Sequence, residues 1–467
     1  MSTRSGQTQL HEATGDDAAD RLAARLTRWR PTPAAKSAIV AAFAVSAILQ
    51  IFGVPFTSSF GTRTRFDMDV YRIGGQIWHQ GFSLYADGSM PFTTDGIWLP
   101  FTYPPFAALL FTPLGAIPLS VASIGISLVT AALLVYVTKL SLAVLDIGAR
   151  ANRWWLATAL SVATIWFNPF WMTLGFGQIN VVLMAMIMVD VFVLHRAGRR
   201  HAQGVLIGIA SAVKLTPLVF LGVFLVAGRL RAVVTGLAAF VGAAAIGWIW
   251  MPADSRTYWT DTLFHTARIG QPEGRINQNL NAAWLRVFGD NGGSAELAWI
   301  VSSVAATALA LLAVLAARPT TAFAPGPMTG RVDALAVTCA VAVWGLLVSP
   351  TTWAHHWVWC IPALLLCLAI GARVKRRRYR ITYLALAGIG AVIFAIGPFQ
   401  LLPPIEHGWS AWQHIVGNAF TLWGVALLIA LWRLPYRAGR ARPAQTTAPA
   451  CRRRQAMLCP PAPAATA

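Results

Sequence analysis

The chain has 467 residues, of which 56% are hydrophobic and only 12% charged, and its mean hydropathy is +0.58. A water-soluble globule with that balance would expose apolar patches large enough to aggregate, so the composition excludes one. The net charge of +20 would suit a polyanion partner, but the positions of the charges say otherwise. Six basic residues precede Ser37, six more lie between Arg373 and Arg380, and Arg196, Arg199, Arg200, Arg229, Arg231, Arg433, Arg437, Arg440 and Arg442 also flank apolar runs. This is the positive-inside pattern of an all-α polytopic protein with both termini in the cytoplasm, and no nucleic acid is needed to explain it. Cys339, Cys360 and Cys367 fall within apolar runs, and Cys451 and Cys459 lie in a Pro- and Ala-rich tail. Neither a metal-ligand spacing nor a disulfide framework results.

A crossing needs roughly 20 apolar helical residues, which allows the runs to be assigned in order. Residues 1–36 form a basic, disordered cytoplasmic tail, too long and too acidic in its first half for a signal peptide. Ser37–Phe56 crosses outward as an uncleaved first helix, and residues 57–102 make a long external loop. Residues 103–145 return, interrupted at Pro113 and Pro118. Trp154–Leu174 goes out and Gly177–Leu194 comes back. The run from Gly204 to Gly228, broken by Lys214-Leu215-Thr216-Pro217, reads as a re-entrant hairpin. Val233–Met251 leads to a second external loop, 252–293. Further crossings are expected near 294–317, 334–350, 357–371, 381–397 and 413–432. The total is about ten crossings in one membrane domain, residues 37–432, followed by a second basic cytoplasmic tail, 433–467, also disordered. No internal repeat is evident.

The first external loop carries Phe66-Asp67-Met68-Asp69-Val70-Tyr71. Its Asp-x-Asp spacing is open to three readings: solvated loop acids, two ligands for a divalent cation, or a general base needing only hydrogen-bond reach to a hydroxyl proton. The sequel places Val70, Ile73, Ile77 and Trp78 on one helical face, as expected of a helix lying on the bilayer surface. In Ser349–Trp357, His355 and His356 stand in a Trp-rich belt, able to bind a phosphate or steady a leaving group; their side chains point about 100° apart on a helix. Lys214 lies about ten residues into an apolar run, where an ammonium calls for an anion or a polar cavity. Gln178 and Asn180 at one outer turn, and Asn277 and Gln278 in the second loop, suit sugar hydroxyls or, equally, capping and turn formation. The basic tail with Arg452, Arg453 and Arg454 suits anionic lipid.

Taken together, Asp67-Met68-Asp69-Val70-Tyr71, Tyr103-Pro104-Pro105, Gly177-Gln178-Ile179-Asn180, Lys214-Leu215-Thr216-Pro217, Asn277-Gln278-Asn279-Leu280 and Ser349–Trp357 occur in an order that resembles glycosyltransferase family 87. The resemblance runs from about Ser37 to Trp432. It implies a GT-C fold at the plasma membrane with an extracytoplasmic active site, a polyprenyl-phosphate-mannose donor, a mannosylated lipid or glycan acceptor and an inverting transfer that builds an α-1,2 linkage. The base is implied three positions before Val70, at Asp67, with Asp69 as the alternative. His356 or His355, with Lys214 and either Arg268 or Arg275, would hold the lipid phosphate. Tyr71, Tyr103, Gln178, Asn180, Asn277 and Gln278 would complete the substrate contacts. No cofactor is implied, and no metal, since a monophosphate leaves no diphosphate to clamp. A lipid flippase or transporter using Lys214 and the broken helices, or the same fold serving another polyprenyl-phosphate sugar, are the competing expectations.

Overall fold

A computed structural model describes residues 25–26, 28–57, 65–86, 90–194, 197–265, 270–289, 293–317, 332–405 and 408–433. Most of both predicted tails, Arg196, Arg268 and the Cys451–Cys459 region lie outside the described residues. Those described form helices and turns, with a single isolated β-bridge between Asn277 and Trp353. Among the described residues, six helices are long and apolar enough to cross a bilayer: Pro33–Phe52, Leu119–Val144, Leu230–Trp250, Ser294–Ala317, Ala354–Arg373 and Arg377–Ile396. Two bent pairs, Asn168–Phe176 with Asn180–Leu194 (118°) and Ala411–Gly417 with Ala419–Arg433 (71°), raise the number to eight if each is one span. The protein is therefore a multi-pass helical membrane protein.

These six to eight long spans among the described residues are fewer than the about ten crossings expected, and the difference has a local cause. The predicted Trp154–Leu174 crossing is two helices, Arg153–Thr164 and Asn168–Phe176, with Pro169 in the first turn of the second. Proline lacks the N–H that would continue the ladder. Val332–Val348 has 17 residues, so at 1.5 Å per residue it reaches only about 25 Å. Pro105–Gly115, with 11 residues, is shorter still.

Broken helices position the functional residues. Val205–Val213 stops at Lys214, whose backbone is extended, and the chain resumes as the 3₁₀ turn Thr216–Phe220 and the helix Leu221–Val226. The interruption therefore falls on the Lys-Leu-Thr-Pro motif. Val205–Val213 is held against Leu230–Trp250 by close backbone contact: a Cβ on Gly208 would meet the Gly236 carbonyl oxygen at 2.3 Å. Such contact between small residues is how helices associate in lipid, where apolar burial gives no driving force.

The segment after the first span, expected to be an external loop, contains the helix Phe66–His79. Its apolar face does not lie on the bilayer. Val70, Ile73 and Ile77 are buried in a satellite core with Tyr85, Phe101 and Phe111. Gly75 permits this, because a Cβ there would come within 2.8 Å of the Phe111 main chain in the neighbouring helix Pro105–Gly115. The same periodicity that suits a membrane surface here meets the protein's own loop and helix.

Candidate active site

Asp67 sits in the first turn of Phe66–His79. The helix entry is pinned by buried Arg65, which adopts a left-handed conformation (φ 54°) and donates from Nε to Leu174 O and from Nη2 to Ile51 O, both at 2.8 Å. These two bonds, reaching two other helix ends, offset the cost of positive φ in a non-glycine residue. Beside it, Gly177 (φ 73°) closes the helix Asn168–Phe176 so near Met68 that a Cβ on it would meet the Met68 Cβ at 2.8 Å, and Gln178 follows on the same cavity wall as Asp67.

Asp67 opens on a cavity of about 590 Å³ whose wall also includes Tyr103, Gln178, Lys214, His355, His356, Tyr258, His265 and Trp353. Burial pushes the Asp67 carboxyl up to about 6, against the opposing effects of a hydrogen bond from Gln178 and the charge of Lys214. Burial also raises the phenols of Tyr71 and Tyr103, which stay protonated.

Lys214 Nζ lies 3.1 Å from Asn180 Oδ1 and 3.2 Å from His356 Nε2, and 5.7 Å from the centre of the Tyr103 ring. Asn180 Nδ2 donates to the His355 carbonyl at 3.0 Å, and Thr173 Oγ1 to the same oxygen at 3.2 Å. The His355 ring rests edge-on against Phe176 and His356. Both its nitrogens are buried without a protein partner. His356 also lines a second, apolar cavity of about 520 Å³ between Leu183, Met184, Ile187, Val219, Phe220, Leu346 and Trp359. Lys214, Leu215, Thr216, Ser349, Thr351 and His356 belong to both walls.

Other residues singled out in the sequence are turned elsewhere. Asp69 is buried but absent from the cavity wall. One of its oxygens takes Arg72 at 2.8 Å, and the other takes Thr94 N and Oγ1 at 2.7 and 2.8 Å. Its carboxylate thus anchors the loop that leads to Leu99, Pro100 and Tyr103. Asn277 and Gln278 are fully buried and do not reach the cavity. Asn277 bonds Pro272 O and Thr352 N, while Gln278 bonds Arg275 O, Gly417 O and Phe420 N. With Asn279 on Ser349 O and Asn281 on Pro350 O, they hold the segment that carries the histidines. Arg275 donates to Leu402 O rather than facing the cavity. Tyr71 lies behind Gln178, fully buried and off the wall. Arg268 is outside the described residues. Sequence reasoning passed over Arg65, Thr94, Tyr258 and Trp353. The aromatic pair Tyr258-Trp259 in an otherwise polar loop was the available signal for Tyr258, whereas Arg65 and Thr94 carried none. Among the described residues no group of three or more His, Cys, Asp or Glu is arranged to hold a metal ion.

In this helical membrane protein a half-buried carboxylate shares one cavity wall with a lysine and two histidines, and the lysine and one of the histidines also line the adjoining, more apolar cavity. Residues 101–350 match glycosyltransferase family 87. The chain is 38% identical over 383 residues to the polyprenol-phosphate-mannose-dependent alpha-(1-2)-phosphatidylinositol mannoside mannosyltransferase of Mycobacterium tuberculosis, covering 79% of this chain and 84% of that one. It is 31% identical over 371 residues to a polyprenol-phosphate-mannose-dependent alpha-(1-2)-phosphatidylinositol pentamannoside mannosyltransferase of the same species, covering 77% and 80%. A solved structure of ArnT from Cupriavidus metallidurans bound to undecaprenyl phosphate aligns over 86% of this chain and 77% of its own, at 15% identity and a TM-score of 0.39, a likeness too loose to bear on fold or ligand. The chain belongs to glycosyltransferase family 87. It is a membrane glycosyltransferase, and the transporter expectation is set aside.

Proposed function

We propose that the protein transfers mannose from polyprenyl-phosphate-mannose to a phosphatidylinositol mannoside or related envelope mannoside, forming an α-1,2 linkage with inversion. The observation that carries this reading is the shared wall of the two cavities at Lys214 and His356. The chamber lined by aliphatic and aromatic side chains suits the isoprenoid, the one that adds Asp67, Gln178, His265, Gln271 and His355 suits sugar and acceptor, and Lys214 at the junction suits the phosphate between them. The donor and linkage named for the relatives agree with it.

In this mechanism the acceptor hydroxyl oxygen attacks the mannosyl C1 from the face opposite the phosphate. The C1–O bond to phosphate breaks, polyprenyl monophosphate leaves, and the hydroxyl proton passes to an Asp67 oxygen. Lys214, held by Asn180, and His356 stabilise the charge developing on the departing phosphate. The free nitrogens of His355 are available to the sugar or the phosphate. Asp67 is the base in preference to Asp69, whose oxygens already hold Arg72 and Thr94. No metal takes part, so activity should persist in EDTA, and a strict divalent-ion requirement in purified enzyme would refute this element. The arrangement is of GT-C type, with cytoplasmic termini, an extracytoplasmic cavity and about ten membrane-traversing segments once short and bent helices are included.

The test uses membranes carrying the wild type, Asp67→Ala or Asp69→Ala, incubated with radiolabelled polyprenyl-phosphate-mannose and a panel of mannosides. Transfer should vanish in Asp67→Ala alone. Transfer that survives there and disappears in Asp69→Ala would move the base by two positions.

A further inference from the structure

Behind the Asp67 carboxylate lies a group of three side chains that the transfer mechanism leaves without a task. Tyr71 OH is 3.0 Å from Gln178 Oε1 and 3.1 Å from Tyr103 OH. With Gln178 Oε1 taken by Tyr71, the Gln178 NH₂ end is left for Asp67 and Tyr103, which line the same cavity wall and whose ionised forms it favours. Proton counting fixes the direction of every bond. A carboxylate only accepts, so Gln178 must present its NH₂ to Asp67 and its carbonyl oxygen to Tyr71. Tyr71 has one hydroxyl proton, which that carbonyl takes, so Tyr103 must donate to Tyr71. The second N–H of Gln178 then donates to Tyr103, and the ring closes with each polar hydrogen used once.

We propose that Tyr71 is a positioning residue: through the closed ring with Tyr103 and Gln178 it holds the Gln178 amide with its NH₂ towards Asp67. An amide can rotate by half a turn and exchange its N and O at almost no steric cost, and only its partners decide which end faces a neighbour. Without the Tyr71 hydroxyl, the Gln178 carbonyl is a buried acceptor without a donor, and when Asp67 is protonated the amide gains by turning that oxygen to the carboxyl O–H. Turned, it would set an oxygen against the Asp67 carboxylate and disfavour the ionised form needed to accept a proton. Bonds within such a ring also polarise one another, so the loss extends beyond one contact.

The other charged or titratable groups facing Asp67 are Lys214 at its helix break, Tyr103, and His355 and His356 on the histidine segment, with Tyr258 and His265 farther across the cavity. On its own helix, Asp69 is turned to Arg72 and Thr94, and the preceding Arg65 to Leu174 and Ile51. A change at Tyr71 touches none of these except Tyr103.

The inference rests on Asp67 being the base, and the experiment separates the two. In purified protein, kcat/KM for mannosyl transfer is followed against pH for the wild type, Tyr71→Phe, Gln178→Leu, the double variant and Asp67→Asn. Phenylalanine keeps the ring stacked on Phe111 at 4.7 Å and edge-on to Tyr103, so the fold is retained, which a thermal melt verifies. The acid limb should move upward by roughly half a unit to one unit in Tyr71→Phe. It should move at least as far in Gln178→Leu and no farther in the double variant, because Tyr71 acts through Gln178. A uniformly lower rate with the wild-type limb in Tyr71→Phe, or additive shifts in the double variant, would overturn the ring while leaving the base in place. Activity retained in Asp67→Asn would overturn the base itself, whatever the tyrosine variants do.

Discussion

The amides of the turn Gln178–Asn180 and those of the loop Asn277–Asn281 are the same residue types in similarly short polar motifs, yet they face in opposite directions. Gln178 and Asn180 point to ionisable side chains, the carboxylate of Asp67 and the ammonium of Lys214. The amides of Asn277, Gln278, Asn279 and Asn281 bond almost entirely to main-chain groups, mostly of the histidine segment and the helices that brace it. The first set faces the cavity's ionisable groups, and the second braces from behind the segment that carries the histidines. Composition cannot separate them, because the difference lies in what the fold brings opposite each amide.

Substitutions can break this contrast, and the largest effect is expected at the carboxylate that the first set serves. Asp67→Asn should lower kcat by a factor on the order of 10² to 10⁴, read as radiolabel transfer. In the wild type, activity should fall below about pH 6, because Asp67 must be ionised to accept a proton. The stability sign is opposite to that of a salt-bridged acid. With its folded-state value raised from 3.8 to about 6, Asp67 favours the folded state when protonated, and that contribution is lost as pH rises through 4 to 6. At pH 7, Asp67→Asn should therefore melt at a higher temperature than the wild type while being inactive.

Lys214→Met comes next. Removing the ammonium between Asn180 and His356 should cost about 10² to 10³ in kcat, in the range seen when one donor to a developing oxyanion is lost. A loss confined to KM would mean that Lys214 binds donor without stabilising the departing phosphate.

The second set should respond in stability. Asn277→Ala leaves the Thr352 N–H and the Pro272 carbonyl without their partner, and should destabilise the fold by about 1–3 kcal/mol, measured by thermal or denaturant unfolding in detergent. Activity per folded molecule should stay near the wild-type value. A large fall in kcat with an unchanged melt would place Asn277 among the substrate contacts instead.

Asp69→Asn should have the smallest effect. The amide can still accept from Thr94, so the loop holding Leu99 to Tyr103 should loosen rather than detach. A several-fold rise in the acceptor KM with kcat little changed would show it, whereas a collapse of kcat would return Asp69 to candidacy as the base.

Much was legible beforehand. The apolar runs exposed a polytopic helical protein, because a bilayer core imposes a length and a polarity that few other environments demand. Asp67, Lys214, His355, His356, Gln178 and Asn180 were each visible as polar residues out of place in or beside those runs, and all six meet at the cavities. The choice between Asp67 and Asp69 was not visible. Two positions apart on a helix, they differ by about 200° in direction, and only packing decides which one meets Thr94 and which one opens on the cavity shared with Lys214. The apolar face of Phe66–His79 was equally ambiguous, since periodicity records that a face is covered and not by what.

The sequence by itself thus determined the solvent of this protein and its inventory of reactive groups, because hydropathy and charge act residue by residue. Tertiary structure alone decided which amide faces an ion and which faces a carbonyl, where two helices break so that Lys214 and Gln178 converge, and that a polar and an apolar chamber share one wall. Those are relations between segments well separated in the chain, by 34 residues for Asn180 and Lys214 and by 139 for Gln278 and Gly417, and they exist only once the chain has closed on itself.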